Sequence, residues 1–252
     1  MIKLENCEVL GWEHAIRGMR NPMNSWEKSD SGSGCLEKNV WGAVEHGTFL
    51  CEDCSATYES KCVCSGEKQF VIGPNDHYLM MRLRNAGTDH RKFMRMITVY
   101  VDITAPLYWW KEFDTYKVGT VANSCSTMHK IHAKEFTLED FSCEHLIDDD
   151  STINNDTEHV ACSSGFVIKK IMLDTLNHYR NKYLENKDKK YWWQMIQLLP
   201  SSYNQRRTVM LNYEVLANIY KSRKTHKLDE WRDFCVWIEE LPYSELITGK
   251  EK

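Results

Sequence analysis

Four cysteines stand close together in CEDCSATYESKCVC: Cys51, Cys54, Cys62 and Cys64, a CxxC followed by a CxC. Thiolates are soft ligands, and four in one short loop can enclose a tetrahedral zinc ion. The spacing is tighter than that of a zinc ribbon, so structural zinc competes with an ordinary reduced loop. Catalytic zinc is disfavoured, because no HxE or HExxH partner occurs. A second set lies in GTVANSCSTMH, Gly119 to His129, which offers hydroxyls, a side-chain amide and backbone N–H groups suited to a phosphate or a polar heterocycle. A third pair is Asn212 and Arg223, eleven residues apart, close to three turns of α-helix, so that an amide and a guanidinium emerge on nearly one face. Cys125 has no histidine clearly paired with it and reads as a packed thiol, not a nucleophile. Trp109 and Trp110 offer stacking area, but one of an adjacent pair on a helix normally faces the core.

These groups need elements to position them. In DHYLMMRLRNAG, Leu79, Met80 and Leu83 fall at helical spacing and Gly87 suits a position just past the helix end. RKFMRMITVYVDIT then alternates, with Val99, Val101 and Ile103 on one face and Tyr100, Asp102 and Thr104 on the other, as in a half-buried strand. Thr104 is placed to cap the next helix, with Pro106 in its first turn and Gly119 where it would stop, so strand leads to helix and helix to polar loop. The periodicity predicts a further helix with Ile168, Ile171, Met172, Leu176, Tyr179 and Tyr183 as its buried stripe, ending in ENKDKK. Another should begin after LLPSSYN and carry Val209, Leu216, Ile219 and Tyr220 inward, and a last one in LDEWRDFCVWIEELP should stop at Pro242. Residues 35–72 read as an irregular, cysteine-rich insertion and 145–165 as an acidic, solvated connection.

The totals narrow the function classes. The chain has 252 residues and 42% apolar content, enough for one sizeable core and one domain spanning 1–252. The net charge is −4 and the basic residues are dispersed, which argues against bulk nucleic-acid binding. No apolar run is long enough to cross a bilayer, and MIKLENCEVLGWEH lacks the basic and apolar regions of a signal peptide. The expectation is a soluble, cytoplasmic protein whose ten cysteines are free thiols or metal ligands.

Several ordered segments together resemble the flavin-dependent thymidylate synthases, the ThyX family. Ala15-Ile16-Arg17 stands where members carry an AAR-type element. Asp89-His90 stands for the FEH-type histidine, followed by a strand ending in Ala105-Pro106. The family's RHR signature falls on Thr115, Tyr116 and Lys117, so this chain is a divergent member by that resemblance, with one charge kept and the forked contacts of arginine lost. The downstream serine falls on Cys125 or Ser126, the neighbouring family positions on Glu112, Asn123 and Thr127. Leu199-Pro200, Tyr203, Asn212, Asn218 and Arg223 match the C-terminal element, whereas Ile196 replaces an arginine.

The resemblance implies an α+β fold with a central, mainly antiparallel sheet and flanking helices. It implies FAD as cofactor, NADPH and methylene-tetrahydrofolate as co-substrates, and methylation of dUMP or a related pyrimidine nucleotide, in a homotetramer with clefts at subunit contacts. Arg223, Ser126 and Asn123 would serve catalysis, and Glu112, Cys125, Ser126, Thr127 and Arg223 the nucleotide. His90, Tyr116, Lys117, Asn212 and Asn218 would face the flavin, although a histidine at a helix-to-strand turn can equally cap a backbone carbonyl. Arg206, Arg207, Lys221, Lys224, Thr120 and Ser124 are candidate replacements for the lost arginines. The alternatives are a catalytically silent protein of this fold that binds or sequesters a nucleotide, and a zinc-dependent interaction module.

Overall fold

The computed structural model describes residues 2–35, 68–147 and 164–249. Cys51, Cys54, Cys62 and Cys64, and residues 148–163 of the acidic connection, lie outside the described residues. The centre is a four-stranded, wholly antiparallel sheet in the order β1 (Lys3–Leu10), β4 (Thr98–Pro106), β6 (Asn204–Asn212), β5 (Val121–Ser124). In β4 the apolar and polar residues alternate, and the period of two puts Val99, Val101, Ile103 and Ala105 on one buried face while Tyr100 stays exposed. Val101 pairs with Val209 and Val99 with Leu211, which extends the same apolar face across β6.

Helices α1 (Trp12–Arg20), α2 (Pro74–Asn85), α7 (Tyr213–Arg223) and α8 (Asp229–Glu240) join that face in one apolar core. In α1 the buried Trp12, Ala15, Ile16 and Met19 recur at spacings of three and four. The turn into α1 requires glycine, because Gly11 has φ +93° and a Cβ there would lie 2.1 Å from the Met96 carbonyl oxygen. A second, smaller core forms where α5 (Gly165–Asn186) folds back on α6 (Lys189–Leu198) and buries Leu176 and Met195 with Phe136 and Phe141. Lys187 in the left-handed region ends α5, and the Asp188 side chain caps α6. The chain is completed by α3 (Leu107–Phe113), the one-turn helices α4 (Thr127–Lys130) and α9 (Glu245–Thr248), and a ribbon of β2 (Gly32–Cys35) with β3 (Lys68–Val71).

The fold agrees with the expected sheet and flanking helices, with local differences. Residues 91–96 form a 3-10 segment, not the start of a strand: Phe93 and Met94 are adjacent and both buried, which one face of a strand cannot do. Thr104 lies inside β4, so Pro106 holds the cap position of α3 and no side chain caps it. α3 ends at Phe113, well before Gly119, once its buried aromatic face of Trp109, Trp110 and Phe113 is complete. Residues 121–124 are an edge strand paired to β6, where a polar loop was expected.

Residues 204–212 form β6, so the expected helix begins only at Tyr213 and Val209 belongs to the sheet. The alternation of Gln205, Val209 and Leu211 against β4 outweighed the weak helical spacing. In α5, Leu176 is buried and Met172, Tyr179 and Tyr183 pack on the second core, but Ile168 and Ile171 are exposed. Lys68–Val71 is a strand inside the stretch read as irregular.

Candidate functional site

Asn212 and Arg223 both meet the segment that follows α3. Asn212 is the N-cap of α7: its Oδ1 accepts from Val215 N at 3.1 Å, and its Nδ2 faces the Gly119 carbonyl at 3.5 Å. Gly119, at φ +79°, lies so close that a Cβ would stand 2.8 Å from that amide nitrogen. At the other end of the helix, Arg223 donates from Nη1 to Glu112 Oε2 at 2.6 Å and from Nε to Tyr116 Oη at 2.9 Å. Its guanidinium carbon lies 4.6 Å from the Trp231 ring centre, a cation–π stack. The same Glu112 oxygen accepts from Trp231 Nε1 at 2.9 Å and sits 3.4 Å from His226 Nε2. Because His226 Nδ1 accepts from Leu228 N, the imidazole directs its Nε2 proton at Glu112. Three donors thus converge on one carboxylate oxygen, and the charge of Arg223 is neutralised within the chain.

The remaining flavin-side candidates surround this helix. His90 is exposed, and its neighbour Arg91 donates to Asn218 Oδ1 at 3.2 Å and lies 3.4 Å from Glu214 Oε1. Arg95 closes on the other Glu214 oxygen. Arg91, the residue after His90, thus ties this segment to Asn218 on α7. Lys117 is exposed on the turn beside Tyr116, and the buried Thr120 hydroxyl has no partner among the described residues.

Two of the other candidates, Cys125 and Ser126, line a separate cavity of about 350 Å³ together with Lys130, Lys134, Phe136 and Tyr203. The end of β5 builds one side: Cys125 N donates to the Arg206 carbonyl at 2.9 Å, and Gln205 Nε2 donates to the Cys125 carbonyl at 3.0 Å. Ser126 Oγ accepts from His129 N at 2.9 Å and so caps α4, with its own hydroxyl proton still to give. Lys134 pairs with Asp140, whereas Lys130 has no ion-pair partner among the described residues. Burial pushes the Tyr203 phenol above its ordinary pKa, so it stays a neutral donor at physiological pH. Asn123 lies exposed on β5 opposite Thr208, and Thr127 opens α4.

The sequence-derived nucleotide set is thus divided, with Glu112 and Arg223 in the closed cluster and Cys125 and Ser126 at the cavity. Two of the candidate replacement cations are engaged. Arg206 pairs with Asp102 and Glu5, and Arg207 with Asp114 while stacking 4.1 Å over Trp110. Hydrogen bonds from Thr208, Arg206 and Asn6 hold the Asp102 carboxyl far below the usual range. Sequence reasoning missed Lys130, Lys134, Phe136, His226 and Trp231. The four-residue step from Lys130 to Lys134 was the available signal for the cavity, but the chain between them is not helical throughout. Trp109 and Trp110 are both fully buried core residues.

No family model matches the sequence, and no curated protein matches it. Among solved structures, the chain is similar to thymidylate synthase X (ThyX) from Helicobacter pylori with FAD and dUMP, with a TM-score of 0.60 at 14% identity over 99% of this chain and 98% of that one. A second structure of the flavin-dependent thymidylate synthase from the same organism, complexed with FAD and dUMP, gives a TM-score of 0.58 at 14% identity over 100% and 99%. The chain therefore has a ThyX-like fold along its whole length.

Proposed function

We propose that the protein is a flavoprotein of thymidylate synthase type that binds FAD and methylates dUMP or a related pyrimidine nucleotide, with methylene-tetrahydrofolate and NADPH as co-substrates. One observation carries this reading: the fold that holds FAD and dUMP in the bacterial structures extends over essentially the whole chain. Within that fold, the two remote segments 112–119 and 212–223 converge.

The groups around α7 suit a flavin. His90, the Asn218 amide and Lys117 are exposed, and the Thr120 hydroxyl is buried without a partner among the described residues, so donors are on hand for the polar edge of a planar heterocycle. When bound, FAD supplies the hydride chemistry. Tyr116 offers a ring face, and Asn212 fixes the start of the helix that carries Asn218.

For the nucleotide, Lys130 and the Ser126 hydroxyl meet the phosphate, while Phe136 and Tyr203 give the cavity its apolar wall. Asn123 donates from the adjacent strand, and Thr127 adds a hydroxyl. Arg223, exchanged from Glu112, stabilises the pyrimidine as charge develops on it. The working unit is a homotetramer in the cytoplasm, in which a subunit contact unites the two halves of the site. The cysteine set Cys51, Cys54, Cys62 and Cys64 would hold a structural zinc ion; metal analysis after dialysis tests it.

Purified protein should show a flavin absorbance spectrum and form dTMP from dUMP with the two co-substrates. Colourless protein whose melting temperature FAD does not raise would remove the reading. A second reading, a nucleotide-binding protein without turnover, is favoured by one observation: Glu112 already neutralises Arg223. Saturable dUMP binding without flavin uptake would select it.

A further inference from the structure

A cavity of about 440 Å³ lies beside α1, and none of the residues that line it belongs to either region described above. Its size is within the range of small-molecule sites. It is bounded by Ile16, Arg17 and Arg20 of α1, by Trp26, by Phe70 of β3, and by Glu13 at its exposed rim. The sequence singled out Ala15-Ile16-Arg17: Ala15 turns into the core, Ile16 lies between core and cavity, and Arg17 lines the cavity from its exposed side.

Arg20 is the anchor of this wall and is almost wholly buried. Its Nε donates to Asp76 Oδ1 at 2.6 Å and its Nη1 to the Ser25 carbonyl at 3.2 Å, which leaves Nη2 without a protein partner among the described residues. Asp76 does not compete for a ligand. Its second oxygen accepts from Ser29 Oγ, Ser31 Oγ and the backbone N–H groups of Asp30 and Ser31, at 2.6 to 3.2 Å. Those serine protons are thereby committed, and Ser31 Oγ also accepts from Gly73 N. Arg17 is exposed, and its one side-chain partner among the described residues is His14 Nδ1, at 3.0 Å. The Trp26 indole N–H is held by Asn21, so its ring, not its polar edge, is what it offers. The open chemistry of the wall is therefore two guanidinium groups beside aromatic and aliphatic surface.

We propose that this cavity is a second ligand site, for an aromatic acid whose carboxylate is held by Arg17 and the free arm of Arg20 and whose ring rests on the Trp26 and Phe70 surfaces. Forked guanidinium donors match a planar carboxylate, and apolar walls exclude a bare hydrated anion. The rim carboxylate of Glu13 repels excess negative charge, so a monoanion is preferred to a dianion. The site uses none of the flavin or nucleotide residues, and it stands or falls independently of that function.

The test is a titration of the full-length protein with benzoate, followed by the NMR resonance of the Trp26 indole N–H, assigned by its loss in Trp26→Leu. Saturable shifts are expected. Arg17→Gln should weaken binding by roughly tenfold or more, Glu13→Gln should tighten it, and phenyl phosphate should bind less well than benzoate. Arg17 and Glu13 are exposed, so both variants should fold, and a matching melting temperature checks that. The proposal is overturned if benzoate gives no saturable shift, if Arg17→Gln binds unchanged, or if inorganic phosphate competes as well as benzoate.

Discussion

The cluster around Arg223 and the cavity around Lys130 hold the same kinds of residue and are electrostatically opposite. At Arg223 the cation is stacked on Trp231 and bonded to Glu112 and Tyr116, and the same Glu112 oxygen faces Trp231 Nε1 and His226 Nε2, so the region is closed and self-satisfied. At Lys130 the ammonium has no counter-charge among the described residues, and the space beside it is open. An arginine in a recognisable position is therefore less informative than the carboxylate opposite it. Glu112 makes the difference, because a half-buried guanidinium that already owns a carboxylate must exchange it before it can hold a ligand.

That contrast can be broken or sharpened by substitution, and the largest effects should fall on the closed regions. Trp231→Ala removes a fully buried ring that touches Trp109, Phe113, Tyr116 and Arg223, and should cost about 3–5 kcal/mol in urea denaturation. A loss below about 1 kcal/mol would mean that the cluster is not packed as described. Asp76 gives a comparable effect with a pH signature. Although burial alone would raise its pKa, the hydrogen bonds from Ser31, Ser29 and Arg20 and the charge of Arg20 bring it below the ordinary carboxylate value.

A depressed acid pKa stabilises the fold above the unfolded-state value, near pH 4, and that contribution disappears as pH falls through the folded value. Asp76→Asn should therefore be destabilised by about 3–5 kcal/mol at neutral pH and lose less stability on acidification. Equal acid sensitivity of variant and parent would exclude this role.

A smaller change is expected for Glu112→Gln. The pair is partly exposed, so its loss should cost only about 1 kcal/mol, while affinity for dUMP rises as Arg223 is freed. A fall in affinity would instead assign Glu112 to the ligand. Lys130→Ala should change stability least, by no more than about 0.5 kcal/mol, because the side chain has no ion-pair partner among the described residues. It should nevertheless weaken dUMP binding roughly tenfold in calorimetry.

Sequence made part of this legible. The alternation of Val99, Val101 and Ile103 identified the central strand, and Leu79, Met80 and Leu83 with Gly87 identified α2, because in both one local period coincides with one buried face. β6 was misread as helix since its inward residues, Gln205, Val209 and Leu211, are interrupted by the arginines whose charges pair with Asp102 and Asp114. The eleven-residue step from Asn212 to Arg223 was read as one helix face, whereas Asn212 ends β6 and caps α7 in extended conformation, even though both side chains reach residues 112–119. It could not show that Glu112 would neutralise the arginine, which depends on where α3 ends relative to α7. Lys130 was overlooked for the same kind of reason: its value lies in what does not face it, and only tertiary structure reveals that.

The most direct test of nucleotide binding by this fold is a calorimetric titration of dUMP into FAD-equilibrated protein, run in parallel on the parent, Lys130→Ala and Glu112→Gln. Saturable binding that is weakened by the first substitution and strengthened by the second is the predicted result. Absence of binding in the parent, or binding indifferent to both changes, would contradict the proposed division of labour between the two regions.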